Sequence, residues 1–206
     1  MVLCVTGCMA AGKNAASDIL EKHGFVAIDA DKVVHEILRG KTFQEKVIFT
    51  FAPFAEKSGI ALRNEDGTLN RRNLGKLIFA DKKLLEIQES IVFPEVDRKI
   101  EEFIESGMKS GKDVVVNATV LYKIPSVKKC DAVIFVDAPV LTRFFRAKKR
   151  DGMKTVQILQ RFWSQKNLFS KYKKSNADTF KVNNTGDLTA LEEKLMKKIG
   201  ELKNEK

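Results

Sequence analysis

Apolar positions along the chain fall into short continuous runs separated by stretches of helical spacing. Val2–Leu3–Cys4–Val5 is an uninterrupted run ending in Thr6–Gly7, and it predicts a buried strand. From Asn14 to His23 the pattern turns helical, with Ala15, Ala16, Ile19 and Leu20 on one face and Gly24 as the stop. Phe25–Val26–Ala27–Ile28 predicts a second strand, closed by Asp29–Ala30–Asp31, after which Val33, Val34, Ile37 and Leu38 return to helical spacing. Val114–Val115–Val116 and Ala132–Val133–Ile134–Phe135–Val136 are continuous and rich in β-branched residues, as parallel strands buried on both faces are. Strands alternating with helices in this way predict an α/β fold with an open parallel sheet.

The stretch between the second and third strands is too long for a single crossover helix. Phe43 to Phe54 predicts one helix, and Arg63–Asn64–Glu65–Asp66–Gly67 is a turn cluster. Leu74, Leu77 and Ile78, then Leu84, Leu85, Ile87 and Ile91, predict two more helices. Pro94 is read as opening a further helix towards Gly107. The organisation expected is a core formed by 1–40, 111–138 and 176–206, a helical insertion at 41–110 and a second helical segment at 139–175. Thr179–Val182 would be a last strand and Leu188–Leu202 a closing amphipathic helix. Trp163 and most of the 14 phenylalanines are expected in the core.

Charge changes the picture once it is located. Of 37 Lys and Arg against 27 Asp and Glu, twelve basic residues lie within 139–182, where the only acids are Asp151 and Asp178. That block carries 12 − 2 = +10, and the remainder of the chain is neutral at 25 of each sign. A nucleic-acid surface, a solvated helical face and a phosphate-handling lid are the three readings of such a block. The regular spacing of its arginines and the scarcity of interleaved aromatics favour the lid. Lys148, Lys149, Lys171, Lys173 and Lys174 are read as solvated. Three cysteines, Cys4, Cys8 and Cys130, fit a reducing compartment better than a disulfide framework. The longest uncharged run, Met1 to Gly12, is too short to cross a bilayer. A cytoplasmic enzyme is the class expected.

Chemistry concentrates at three places. Gly7–Cys8–Met9–Ala10–Ala11–Gly12–Lys13–Asn14 fits G-x-x-x-x-G-K between a first strand and a first helix. Glycines there let backbone N–H groups wrap an anion, the helix N-terminus adds positive potential, and Lys13 reaches outer phosphates. The motif usually ends in Ser or Thr, whose hydroxyl serves Mg²⁺; Asn14 offers an amide oxygen instead, and is the candidate metal ligand. Asp29 and Asp31 stand at the end of the second strand, where ligands of open α/β sheets bind. A carboxylate there can accept a proton from an attacking hydroxyl or hold a magnesium-bound water, while the plain alternative is a helix cap. Arg146 and Arg150 are four apart on one helical face, with Arg143 a neighbour, and converging guanidinium groups stabilise a transferring phosphoryl.

With the loop and Ile28–Asp29–Ala30–Asp31–Lys32–Val33–Val34–His35, the chain resembles the dephospho-coenzyme A kinase family. Further landmarks are Asp66–Gly67–Thr68–Leu69–Asn70–Arg71, Leu74 and Phe79, then Val136–Asp137, Arg146, Arg150–Asp151, Arg161, Gln165, Ala177–Asp178 and Asn184–Thr185–Gly186. The resemblance implies a three-layer P-loop kinase core with a parallel sheet, a helical substrate-binding insertion and a helical lid. It implies ATP with Mg²⁺ as cofactor and dephospho-coenzyme A as substrate, phosphorylated on its 3′-hydroxyl. Carried over, Asp31 is the base, Lys13, Arg146 and Arg150 serve the phosphates, and Gly7 to Asn14 with Asn184 hold ATP. Asp29, Asp31, Arg71 and Phe93 would face the substrate. The chain departs from the family pattern at Asn14, at Phe93 where His is usual, at Asn117 where Asp is usual, and at Lys123 where Glu is usual, which leaves as alternatives a kinase of the same fold acting on another nucleoside or nucleotide and a nucleotide-binding member without turnover.

Overall fold

The computed structural model describes residues 1–152, 154–175 and 178–204; the Ala177 landmark and the Asp151 side chain lie outside them. The chain divides into two compact units, Met1–Ala30 with Ile100–Lys206, and Asp31–Lys99.

The first unit is built on five parallel strands, β1 (Val2–Gly7), β2 (Val26–Asp29), β3 (Val114–Asn117), β4 (Ala132–Asp137) and β5 (Thr179–Asn183). Their order in the sheet is β2-β3-β1-β4-β5. Successive strands leave β1 first to one side and then to the other, so the strand order reverses beside β1, where open α/β sheets bind ligands. Register places Asn117 against Val5 and Asp29, and Val136 against Gly7. The carboxyl ends of β1, β2 and β3 therefore share one edge.

Every residue of β1 is buried, because both sheet faces are covered. Leu3 and Val5 point to one face, into a core with Leu20 of α1 (Lys13–Lys22) and Leu191, Leu195 and Ile199 of α9 (Leu188–Asn204). The other face carries Phe135, whose ring meets Phe169 of α8 (Leu168–Lys173) edge-on at 5.1 Å. The fully buried Tyr172, also on α8, accepts from Leu121 N at 2.9 Å and donates to Ala118 O at 3.2 Å. It thereby pins the segment after β3, where two short 3₁₀ turns, Leu121–Lys123 and Pro125–Lys129, were not foreseen from the sequence. Between β4 and β5 lie α6 (Val140–Asp151), α7 (Thr155–Ser164) and α8.

The second unit is helical: α2 (Ala30–Ile37), α3 (Lys41–Lys57), α4 (Arg71–Ala80) and the first part of α5 (Lys82–Lys109). Its core includes Leu38, Val47, Phe51, Leu74, Leu77 and Leu84. The turn cluster forms as expected, with Gly67 at φ 78° and Arg63 clamping Glu45 of α3 through two bonds of 2.8 and 2.6 Å. Asn70 caps α4 by accepting from Asn73 N at 3.0 Å.

Two expectations fail. Pro94 opens no helix; α5 runs straight through it for 28 residues. A proline inside a helix costs about 3 kcal/mol or more through its missing N–H and its ring clash, but Leu84, Val92, Val96, Ile100 and Ile104 are all buried along the helix. Continuous burial on both sides of the proline outweighs its local signal. The aromatic residues are also less buried than expected. Trp163 is 72% exposed, and of the phenylalanines, all among the described residues, only Phe25, Phe51 and Phe135 are buried. On α6 and α7, Phe145, Leu159 and Trp163 face solvent, because amphipathic periodicity identifies a helix without saying what covers its apolar side.

Candidate active site

The phosphate loop follows β1 directly. A side chain at Gly7 would strike the Val136 carbonyl of the neighbouring strand. Gly12 lies in the left-handed region at φ 107°, and a side chain there would strike the amide of Asn184. Ala10 adopts φ 60°, an uncommon conformation for a residue with a Cβ and one that clusters at functional sites. The loop closes with Ala11 N donating to Cys8 O at 3.0 Å, and α1 then starts with Ala16 N donating to Gly12 O at 3.0 Å. No side chain caps α1 and no acid lies in its first turn. Its N-terminus therefore presents backbone donors and positive potential, as anion sites require.

The loop is braced from behind by two side chains. Asn184, 5% exposed, donates to Ala11 O at 2.9 Å. Gln165, just past the end of α7, accepts from Met9 N at 2.7 Å, and its backbone carbonyl accepts from Cys8 Sγ at 3.7 Å. Gln165 was legible only as a landmark of the resemblance; its contact joins residues 156 positions apart. Burial pushes the Cys8 thiol above its ordinary pKa, while the adjacent Arg143 guanidinium acts in the opposite sense. Burial dominates, so Cys8 is a neutral packing group of the loop.

Lys13 Nζ donates to Asn117 Oδ1 at 2.9 Å, and Asn117 Nδ2 donates to Asn14 Oδ1 at 3.2 Å. The structure thus brings the two departures, Asn14 and Asn117, into one network with the loop lysine. Asp29 ends β2 beside Asn117. Asp137 ends β4, where its carboxylate accepts from Ala138 N at 3.0 Å and pairs with Lys181 at 3.0 Å.

Arg143, one of the neighbours noted in the sequence, is 9% exposed. Its Nε donates to Ala138 O at 3.1 Å and its guanidinium lies over the Phe162 ring at 4.5 Å. One guanidinium nitrogen of Arg143 and one of Arg146 are buried without a hydrogen-bond acceptor. A buried cationic donor left in that condition is costly, and an anionic oxygen is the acceptor that would relieve it. Arg150 and the five lysines read as solvated are exposed.

The remaining candidates belong to the helical unit. Asp31 is exposed in the first turn of α2, Arg71 is exposed at the start of α4, and Phe93 is half-buried in α5. Tyr122 belongs to the sheet unit, where its ring meets Tyr172 edge-on at 5.2 Å. Among the described residues no group of three or more His, Cys, Asp or Glu could hold a metal ion, and no helix is long and apolar enough to cross a membrane. All three cysteines are free.

Comparison with known proteins shows the family. A dephospho-CoA kinase from Treponema denticola is 35% identical over 201 residues, covering 97% of this chain and 89% of its own. The corresponding protein of Treponema pallidum is 33% identical, covering 93% of this chain and 90% of its own. The solved dephospho-CoA kinase of Campylobacter jejuni superposes with a TM-score of 0.60 at 27% identity, covering 98% of this chain and 96% of that one. The family model "CoaE: Dephospho-CoA kinase" matches residues 1–189, which contain the phosphate loop, both of its braces and α6. With its parallel sheet reversing beside a glycine loop, the chain belongs to the dephospho-CoA kinase family of P-loop kinases.

Proposed function

We propose that this protein transfers the γ-phosphoryl group of ATP to the 3′-hydroxyl of dephospho-coenzyme A, giving coenzyme A and ADP, the last step of coenzyme A biosynthesis. The observation that carries this reading is the phosphate loop, uncapped at its helix and braced by Gln165 and Asn184. Gly7, Cys8, Met9, Ala10, Ala11, Gly12, Lys13 and Asn14 cradle the polyphosphate, and Asn184 holds the loop in shape around it. Asp31 takes the proton of the 3′-hydroxyl as its oxygen bonds to the γ-phosphorus. The bond from that phosphorus to the β,γ-bridging oxygen breaks, and ADP leaves with the electron pair. Lys13, Arg146 and Arg150 neutralise the charge on the transferring group, so catalysis is positioning and electrostatics. Asp29, Arg71 and Phe93 contact the acceptor substrate, within the helical insertion 41–110 for the last two. The segment 139–175 is the lid, and the enzyme works in the cytoplasm.

Mg²⁺, when bound with ATP, supplies further charge at the phosphates. The residues here do not fit a protein-held magnesium site: the candidate donors Asn14 and Asn117 are neutral amides already bonded to each other. They fit a metal carried by the nucleotide's own oxygens. Coupled ADP release tests the proposal. ADP should form rapidly only when dephospho-coenzyme A is added, and the product should carry a new 3′-phosphate by phosphorus NMR. ADP release that is indifferent to dephospho-coenzyme A would defeat it.

A further inference from the structure

The Lys13–Asn117–Asn14 network has a direction that donor and acceptor chemistry forces. An ammonium can only donate, and Lys13 Nζ lies 2.9 Å from Asn117 Oδ1. Asn117 is 3% exposed, so its amide is fixed by these neighbours. With its oxygen facing Lys13, its nitrogen faces the other way and donates to Asn14 Oδ1 at 3.2 Å. Asn14 thus turns its amide oxygen inward, and the NH₂ end of the same amide is left as its outward group. Asn14 itself is exposed at the first turn of α1, beside the loop's backbone donors.

We propose that Asn14 binds nucleotide phosphate as a hydrogen-bond donor rather than serving as a magnesium ligand, and that Asn117 is the positioning residue that sets it so. This rests on the phosphate-loop reading above. The usual Ser or Thr hydroxyl at this place presents an oxygen to the metal. Here a cation approaching Asn14 Oδ1 would meet the Asn117 N–H beside it. Mg²⁺ favours anionic oxygen and water, and a singly engaged neutral amide is a poor substitute. The NH₂ group instead adds two donors to the positive end of α1, where a phosphate oxygen is the matching partner. The consequence is a loop whose grip on the polyphosphate depends less on metal than the common motif implies.

Calorimetric titration of ATP without dephospho-coenzyme A, once in EDTA and once in excess Mg²⁺, tests this. The parent should bind ATP in EDTA. Asn14→Ala, at an exposed position that will not disturb folding, should raise the EDTA Kd by about 10-fold or more, the scale of a hydrogen bond to a charged acceptor. Its ratio of Kd in EDTA to Kd in Mg²⁺ should stay near the parent's or rise. Asn117→Asp can only accept, so it turns the Asn14 amide around; binding in EDTA should weaken while the gain on adding Mg²⁺ grows. An Asn14→Ala protein with unchanged Kd in EDTA and weakened binding only in Mg²⁺ would make Asn14 a metal ligand and overturn the proposal. Lys13→Ala separates the two levels. If it binds ATP as the parent does, the phosphate-loop reading itself falls; if it weakens binding and Asn14→Ala does not, only the relay falls.

Discussion

At the scale of single residues, chemistry follows from what each side chain can donate or accept. Asp31 stands two positions past the end of β2, in the first turn of α2. As the base of the proposed reaction, its replacement by Asn should lower turnover by about 10²- to 10⁴-fold, the range of a positioned proton acceptor. ATP affinity should change far less. Turnover within a factor of two of the parent would leave Asp31 as no more than a favourable charge in the first turn of α2. Asn14→Ser restores a hydroxyl to the loop's last position. In steady-state rates it should lower the magnesium concentration giving half-maximal velocity, and an unmoved titration would place the metal beyond the reach of this residue.

At the scale of elements, α6 and the turn after α7 act on the loop from a distance in sequence. Arg146 holds a buried guanidinium nitrogen with no acceptor, on the helix that starts three residues after β4. If that nitrogen serves the phosphoryl in flight, Arg146→Ala should reduce kcat more than it weakens ground-state ATP binding. Weaker ATP binding with kcat unchanged would mean uniform binding instead. Tight RNA binding with a steep salt slope, lost on removing the basic block, would instead favour the nucleic-acid reading. Gln165 makes a second test. Gln165→Leu leaves Met9 N–H without its 2.7 Å acceptor, and an unpaired partly buried donor costs about 1–3 kcal/mol. Thermal stability should fall and ATP bind more weakly, whereas unchanged ATP affinity would show that the loop keeps its shape unaided.

At the scale of the whole molecule, Asp113 ties distant parts of the sheet unit together. Just before β3, its carboxylate meets the Met1 ammonium at 2.6 Å and Lys203 of α9 at 2.7 Å. Partial burial alone would raise its pKa, but Lys203 and the N-terminal ammonium together hold it below the usual carboxylate range. A depressed folded-state pKa means stability that is present above the unfolded value near 3.9 and lost as pH falls through the folded value. Asp113→Asn should therefore lower Tm by roughly 1–4 °C at pH 7, since a partly exposed pair is screened. The difference should shrink as the pH is taken below that unfolded value, towards an acid pH at which Asp113 is protonated in both states. A deficit of the same size at both pH values would mean that the carboxylate's charge plays no part.

The strands of this protein were readable locally, because β1, β3 and β4 are buried on both faces and must be continuously apolar. The loop was readable because a glycine turn between strand and helix is itself a local structure, and Arg63–Gly67 and the helices α3 and α4 for the same reason. Local signals misled at Pro94, where burial from Leu84 to Ile104 keeps a 28-residue helix intact, and at Trp163, whose periodicity says amphipathic without naming a cover. The braces on the loop were beyond any local pattern, since Gln165 and Asn184 reach Met9 and Ala11 only once the sheet has closed. The meaning of the two asparagines was equally hidden. Sequence places Asn14 and Asn117 where metal oxygens are usual; parallel pairing of β1 with β3 brings both beside Lys13. A donor-only ammonium then decides which end of each amide faces out.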